Sequence, residues 1–204
     1  MTSILKVDQL QDSGGNAIIT SNGAGSITTS SGLNTAIANA GFITSGGITN
    51  VQSFQITSTL TAAGNPYIIT SNIGTNAGAT YSNIGTIVSQ SSGVFSFSQT
   101  GFYKVEFSGA FQANTVPDTY TFEILGTTDN STYTPIAQGY FEAPASTNDY
   151  DNGFLSAFVN VNNTTNVKIK FSLGYSNTVS SLFILGDTTI PRTFFNFIRL
   201  GDSV

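Results

Sequence analysis

GVFSFSQTGFYKVEFSGAF, residues 93–111, decides the fold. Apolar side chains fall on every second position: Phe95 and Phe97 precede the polar break Gln99-Thr100-Gly101, and Tyr103, Val105, Phe107 and Phe111 follow it. Lys104, Glu106 and Ser108 lie between the latter. Successive side chains of an extended backbone point to opposite faces, so this period of two gathers the aromatic rings on one dry face and sends the charges to the other. The segment predicts a hairpin turning at 99–101 and packing one face on a core.

Working outward, the same grammar recurs. VQSFQITSTL (51–60) alternates, and TYTFEIL (119–125) sets Tyr120, Phe122 and Ile124 together before a DNSTY turn and the continuation YTPIAQGYFEA (133–143). FLSAFVNV (154–161), NNTTN and VKIKFSLGY (167–175) read as a further hairpin. LFIL (182–185) and FFNFI (194–198) are apolar on both faces, which suits a strand central in the core or one lying against another subunit. Strands at roughly 8–12 residue spacing form the pattern of an antiparallel sandwich or jelly roll. The expectation is all-β.

Composition narrows the function. Charged residues are 8% of the 204, against about 25% in an ordinary soluble domain. Net charge is −5 and the six cations form no cluster, which argues against nucleic acid as a partner. Histidine and cysteine are absent, so disulfides, thiolate or imidazole zinc sites and every catalytic design built on His or Cys are excluded. No apolar run approaches a membrane span and the N-terminus lacks the apolar core of a signal peptide, so the expected product is soluble, made in a cytoplasm, with no membrane partner.

The N-terminal half has its own chemistry. Residues 13–103 carry no charged side chain, and the phrase IITSN occurs at 18–22 and again at 68–72. The spacing of such phrases is irregular, so they are read as extended segments that need neighbouring chains for burial, not as a fixed-period solenoid. ILKVDQLQ (4–11), DSGGN and AIIT form an expected short hairpin around a Gly-Gly turn, and LNTAIANAG (33–41) is long enough for two turns of helix. The division is an extended N-terminal arm over 1–50 and a sandwich head over 51–204.

Candidate sites are few. STNDYDNG (146–153) brings Asp149 and Asp151 close in sequence with amide oxygens nearby, making them candidate calcium ligands; the competing reading is a polar loop. No other cofactor is expected. Carboxylates alone suffice for a glycosidase, but nothing in the sequence marks Asp149, Asp151, Glu106 or Glu123 as such a pair, so no enzyme is expected. Tyr140, Phe141, Tyr150, Phe154 and Tyr175 are candidates for sugar stacking or interface anchoring, with core packing the commoner fate of such rings and Tyr150 the best exception. NGAGS and SGGITN lack the following Lys and helix of a phosphate cradle, so they are turns.

Two resemblances follow from these residues. The stretch 82–111, with VKIKFSLGY and the closing TFFNFIRL (193–200), resembles the jelly-roll head shared by tumour necrosis factor and the globular head of the first complement component. The matching positions are Phe95, Phe97, Gly101, Tyr103, Val105 and Phe107, then Phe194, Phe195, Phe197, Ile198 and Leu200. The resemblance implies a homotrimer with aromatic residues along its axis, for which Tyr103, Phe194, Phe195 and Phe197 are the expected interface. It also favours calcium slightly.

TSILKVDQLQDSGGNAIITSNG (2–23) resembles the leader of structural proteins of tailed phages, cyanophages especially. It implies virion attachment through Ile4, Leu5, Val7, Leu10, Ile18 and Ile19. Together the two imply a homotrimeric capsid decoration protein on the virion surface, its arm held by the major capsid protein or a tail component. The alternative is a short tail fibre recognising a host surface glycan. A polysaccharide-degrading tail enzyme and a monomeric carbohydrate-binding module stand behind these.

Overall fold

The computed structural model describes residues 9–21, 27–33, 48, 50–75, 83–113, 118–143, 150–175 and 182–203. The chain divides into two compact units, Met1–Gly47 and Ile48–Val204.

In the first unit β1 (Gln9–Gln11), β2 (Ala17–Ser21) and β3 (Ile27–Thr29) form an antiparallel sheet in that order. Asp12 builds the β1–β2 turn. Its Oδ1 accepts from the Gly14 and Asn16 amides at 2.8 and 2.9 Å, and Gly15 supplies the left-handed residue at φ 82°. Of the expected attachment residues, Leu10 is exposed and Ile18 and Ile19 are half-buried, while Ile4, Leu5 and Val7 lie outside the described residues. Ser30 Oγ accepts from the Leu33 amide at 3.2 Å, as a helix cap does; the rest of the expected helix lies outside the described residues.

The second unit is a two-sheet sandwich. One sheet runs β13 (Tyr150–Val161), β10 (Gly101–Ala113), β16 (Phe194–Gly201), β4 (Asn50–Ile56), β7 (Ile73–Thr75), and β15 (Leu182–Ile184) continues from the far end of β10 to β5 (Leu60–Ala62). The other runs β12 (Thr134–Ala143), β11 (Asp118–Thr127), β14 (Lys168–Tyr175), β9 (Val94–Phe97), β8 (Val88–Ser91), with β6 (Tyr67–Ile68) also beside β14. Every pairing is antiparallel.

The core is aromatic and lies between the sheets. Phe171 stacks on Phe195 at 4.2 Å, while Phe95 meets Phe171 and Phe107 meets Phe195, each at 5.2 Å. Each ring removed from water contributes about 1.5–3 kcal/mol, and edge-to-face geometry adds to that.

Three expectations are corrected here. The 93–111 segment is not a hairpin: β9 belongs to one sheet and β10 to the other, because β13 and β16 occupy the two edges of β10. The connection arches across the sandwich, pinned where Tyr103 Oη donates to the Gln99 carbonyl at 2.9 Å. FLSAFVNV and VKIKFSLGY are not a hairpin either; β13 pairs with β10, β14 with β11, and the Asn162–Asn166 stretch crosses between the sheets. The second IITSN needs no neighbouring chain, since Ile69 is buried in this chain's own core and its amide donates to the Phe171 carbonyl at 3.0 Å.

Candidate functional site

The expected trimer interface is corrected by burial. Tyr103, Phe195 and Phe197 are fully enclosed within a single chain, because β10 and β16 are both central strands, and Tyr103 on the first and Phe195 and Phe197 on the second face the opposing sheet. They are core residues with no surface to offer another copy. Phe194 points the other way and is half-buried.

That other face is where exposed apolar surface collects. The cross-strand register places Phe102, Lys104, Glu106 and Ser108 of β10 on the outer face together with Phe154 and Phe158 of β13 and Phe194, Asn196 and Ile198 of β16. Phe154 and Phe158 remain 58% and 63% exposed, and Phe158 stacks on Phe102 with centroids 5.9 Å apart and planes 13° from parallel. Between these rings lies one compensated charge pair. Lys104 Nζ meets Glu106 Oε1 at 2.7 Å and Asn196 Nδ2 donates to Glu106 Oε2 at 3.0 Å. Burial pushes the Glu106 carboxyl up, but the hydrogen bonds from Lys104 and Asn196 outweigh it and hold the group below its ordinary value.

A second feature opens where the edge strands β12 and β13 part, beside the Thr127–Thr134 turn. It is a cleft of about 400 Å³ with buried Val159, Val167 and Ile169 at its floor and Phe158 and Ile136 at its mouth. Asp129 organises the turn: its Oδ1 accepts from Thr127 Oγ1 at 2.7 Å and from the Ser131 and Thr132 amides at 2.8 Å each. Those bonds, the Thr132 amide foremost, hold its carboxyl far below the usual range. Asn130, at φ 58°, ties the turn to the neighbouring one by donating its amide to the Asn166 carbonyl at 3.1 Å.

The remaining candidates are placed as follows. Asp149 lies outside the described residues, and Asp151 Oδ1 accepts from the Asn152 amide at 2.8 Å. Among the described residues no three carboxylates converge as a metal site would require. Glu123 is held in a network, accepting from Gln138 Nε2 at 2.6 Å and Ser172 Oγ at 2.7 Å. Phe141 is half-buried and packs against the core, 4.7 Å from Phe111, Tyr175 is half-buried, and Tyr140 and Tyr150 are 68% and 61% exposed. Phe158 and Asp129 were not singled out in the sequence. Phe158 sits in an alternating strand like any core ring, and DNSTY reads as an ordinary turn.

The strand order and the two-sheet layering can now be set beside known proteins. No family profile matches the chain, and no curated protein is similar to it. Among solved structures, murine APRIL at pH 5.0 superposes with a TM-score of 0.53 at 11% identity, over 74% of this chain and 98% of that one. Eiger TNF from S. frugiperda superposes with a TM-score of 0.54 at 13% identity, over 76% of this chain and 94% of that one. The fold is a TNF-like jelly roll. At such identities the likeness establishes the TNF-like architecture of the head and nothing of its activity.

Proposed function

We propose that the chain is a non-enzymatic phage virion structural protein: a homotrimeric capsid decoration protein, anchored by its N-terminal arm, with the TNF-like head projecting outward. The observation that carries association is the outer face of the β13–β10–β16 sheet. Phe102, Phe154, Phe194 and Ile198 surround a single neutralised ion pair there, an apolar patch that a contact between copies would take from water at about 25 cal/mol per Å². The TNF-like fold and the phage-like leader support the same reading from opposite ends of the chain.

Sedimentation velocity tests the assembly, with a species at three times the 21.4 kDa chain mass expected and a stable monomer refuting it. Imaging of virions lacking the protein tests the role: fragile capsids with normal adsorption support decoration. Deleting residues 1–25 is expected to leave a folded trimer that no longer joins particles, and normal incorporation of that variant refutes the anchoring role.

The second reading, a short tail fibre recognising host polysaccharide, is favoured by the cleft beside Phe158. Stable capsids that fail to adsorb would select it.

A further inference from the structure

We propose that the cleft between the Thr127–Thr134 turn and Phe158 binds one ring of a neutral sugar. The inference rests on the glycan-recognition reading for its biological use, but it is argued from the cleft alone and is independent of capsid decoration.

The lining chemistry selects the ligand class. Among the described residues no Lys or Arg lines the cleft, and the Asp129 carboxylate stands in its wall, so a phosphate, sulfate or carboxylate would enter without a counter-charge and against a like one. A purely apolar guest is also disfavoured, because Thr128, Thr132 and Thr134 line the cleft and such a guest would strip polar side chains of water without replacing their hydrogen bonds. What remains is a neutral molecule with one apolar face and a rim of hydroxyls. A pyranose is such a molecule: its C–H face suits an aromatic ring, and its hydroxyls pair with threonine hydroxyls, each a donor and an acceptor.

The geometry is suited to that guest. One face of the Phe158 ring is covered by Phe102, which fixes the plane of the ring and leaves its other face for a ligand. Val159, Val167 and Ile169 give an apolar floor, and the volume of about 400 Å³ falls within the roughly 300–1,000 Å³ of small-molecule sites. The far wall is already set. Asp129 clamps the turn through Thr127, Ser131 and Thr132, and the Asn130 amide is bound to Asn166, so little ordering remains for a ligand to impose. Asp129 is therefore a positioning residue, and Phe158 and the threonines make the contacts.

The test is saturation-transfer NMR on the full chain with glucose, galactose, mannose and N-acetylglucosamine, each beside glucose 6-phosphate. Transfer to at least one neutral sugar is expected, with weaker transfer to the phosphorylated one. Thr134→Arg, which fills the cleft from the exposed start of β12 away from the outer sheet face, should abolish it, and Phe158→Ala should weaken binding at least tenfold. Far-ultraviolet circular dichroism and sedimentation of each variant, unchanged from wild type for Thr134→Arg, separate loss of the site from loss of the fold or of the trimer. Absence of transfer to all four neutral sugars, or transfer that persists in Thr134→Arg, overturns the proposal and leaves the assembly and decoration readings standing.

Discussion

A β-carbon on Gly153 would come within 2.5 Å of the Phe122 ring. Gly139, on the facing edge strand, stands in the same relation at 2.7 Å. Phe122 thus closes the seam between β12 and β13, and the strands reach it only because neither carries a side chain there. Gly153→Ala is expected to destabilise the head by about 1–3 kcal/mol through overpacking, read from the denaturant midpoint at constant slope. A variant as stable as wild type would show that the seam yields without cost.

The faces of the head were legible in the sequence, and the partners of its strands were not. Tyr103, Val105, Phe107 and Phe111 are all fully buried, as the alternation over 93–111 required, and Tyr120, Phe122 and Ile124 are likewise core. Period two fixes which way a side chain points, but it is silent on which strand lies alongside. In the head β11–β12 pairs across its turn as read, as β1–β2 does in the first unit; the connections at 99–101 and 162–166 look equally tight and instead cross the sandwich. Three of the four residues expected at the interface are core for a related reason. A strand apolar on both faces fits the centre of a sheet or a subunit contact, and the choice for β16 depended on β10 and β4 flanking it, a relation spanning most of the chain. The cleft was invisible because Phe158 and Asp129 belong to different sheets, whose edges come together only in the folded sandwich.

Gln52 gives a second stability prediction. It is buried on β4, and its Oε1 accepts from the Ile87 and Val88 amides at 2.9 and 2.8 Å, joining residues far apart in sequence. Gln52→Leu keeps the bulk and removes the acceptor, leaving two buried donors unpaired at about 1–3 kcal/mol each. The expected loss is in that range or above it, with faster amide exchange at Ile87 and Val88. Retained protection at both amides would refute the assignment.

Acid stability should report the turn carboxylates. Asp129 is held far below its ordinary value by the Thr132 amide first, then Thr127 and Ser131; Asp12 and Asp187 are lowered by their own turn bonds to Asn16 and Thr189. A depressed carboxyl contributes stability that is present above the unfolded value of 3.8 and lost as pH falls through the folded one. The melting temperature of Asp129→Asn should therefore lie below wild type near neutrality, and the gap should narrow as pH falls from about 4 towards about 2. A gap that widens on acidification would reverse the sign and refute the argument. Asp12 and Asp129 are exposed and Asp187 is half-buried, so salt should reduce the effect most at the first two.

Core and contact face can be separated by one pair of substitutions. Phe195 is fully buried and touches Phe95, Phe107 and Phe171, so Phe195→Ala should cost about 3–5 kcal/mol in any assembly state. Phe154 is 58% exposed on the outer face, so Phe154→Ser should change the stability of an isolated chain by only about 0.5 kcal/mol. In a trimer built on that face the same change should weaken association and turn a concentration-independent sedimentation profile into a concentration-dependent one. Finding Phe154→Ser trimeric at every concentration would move the contact off this face, whatever the effect of Phe195→Ala on the fold.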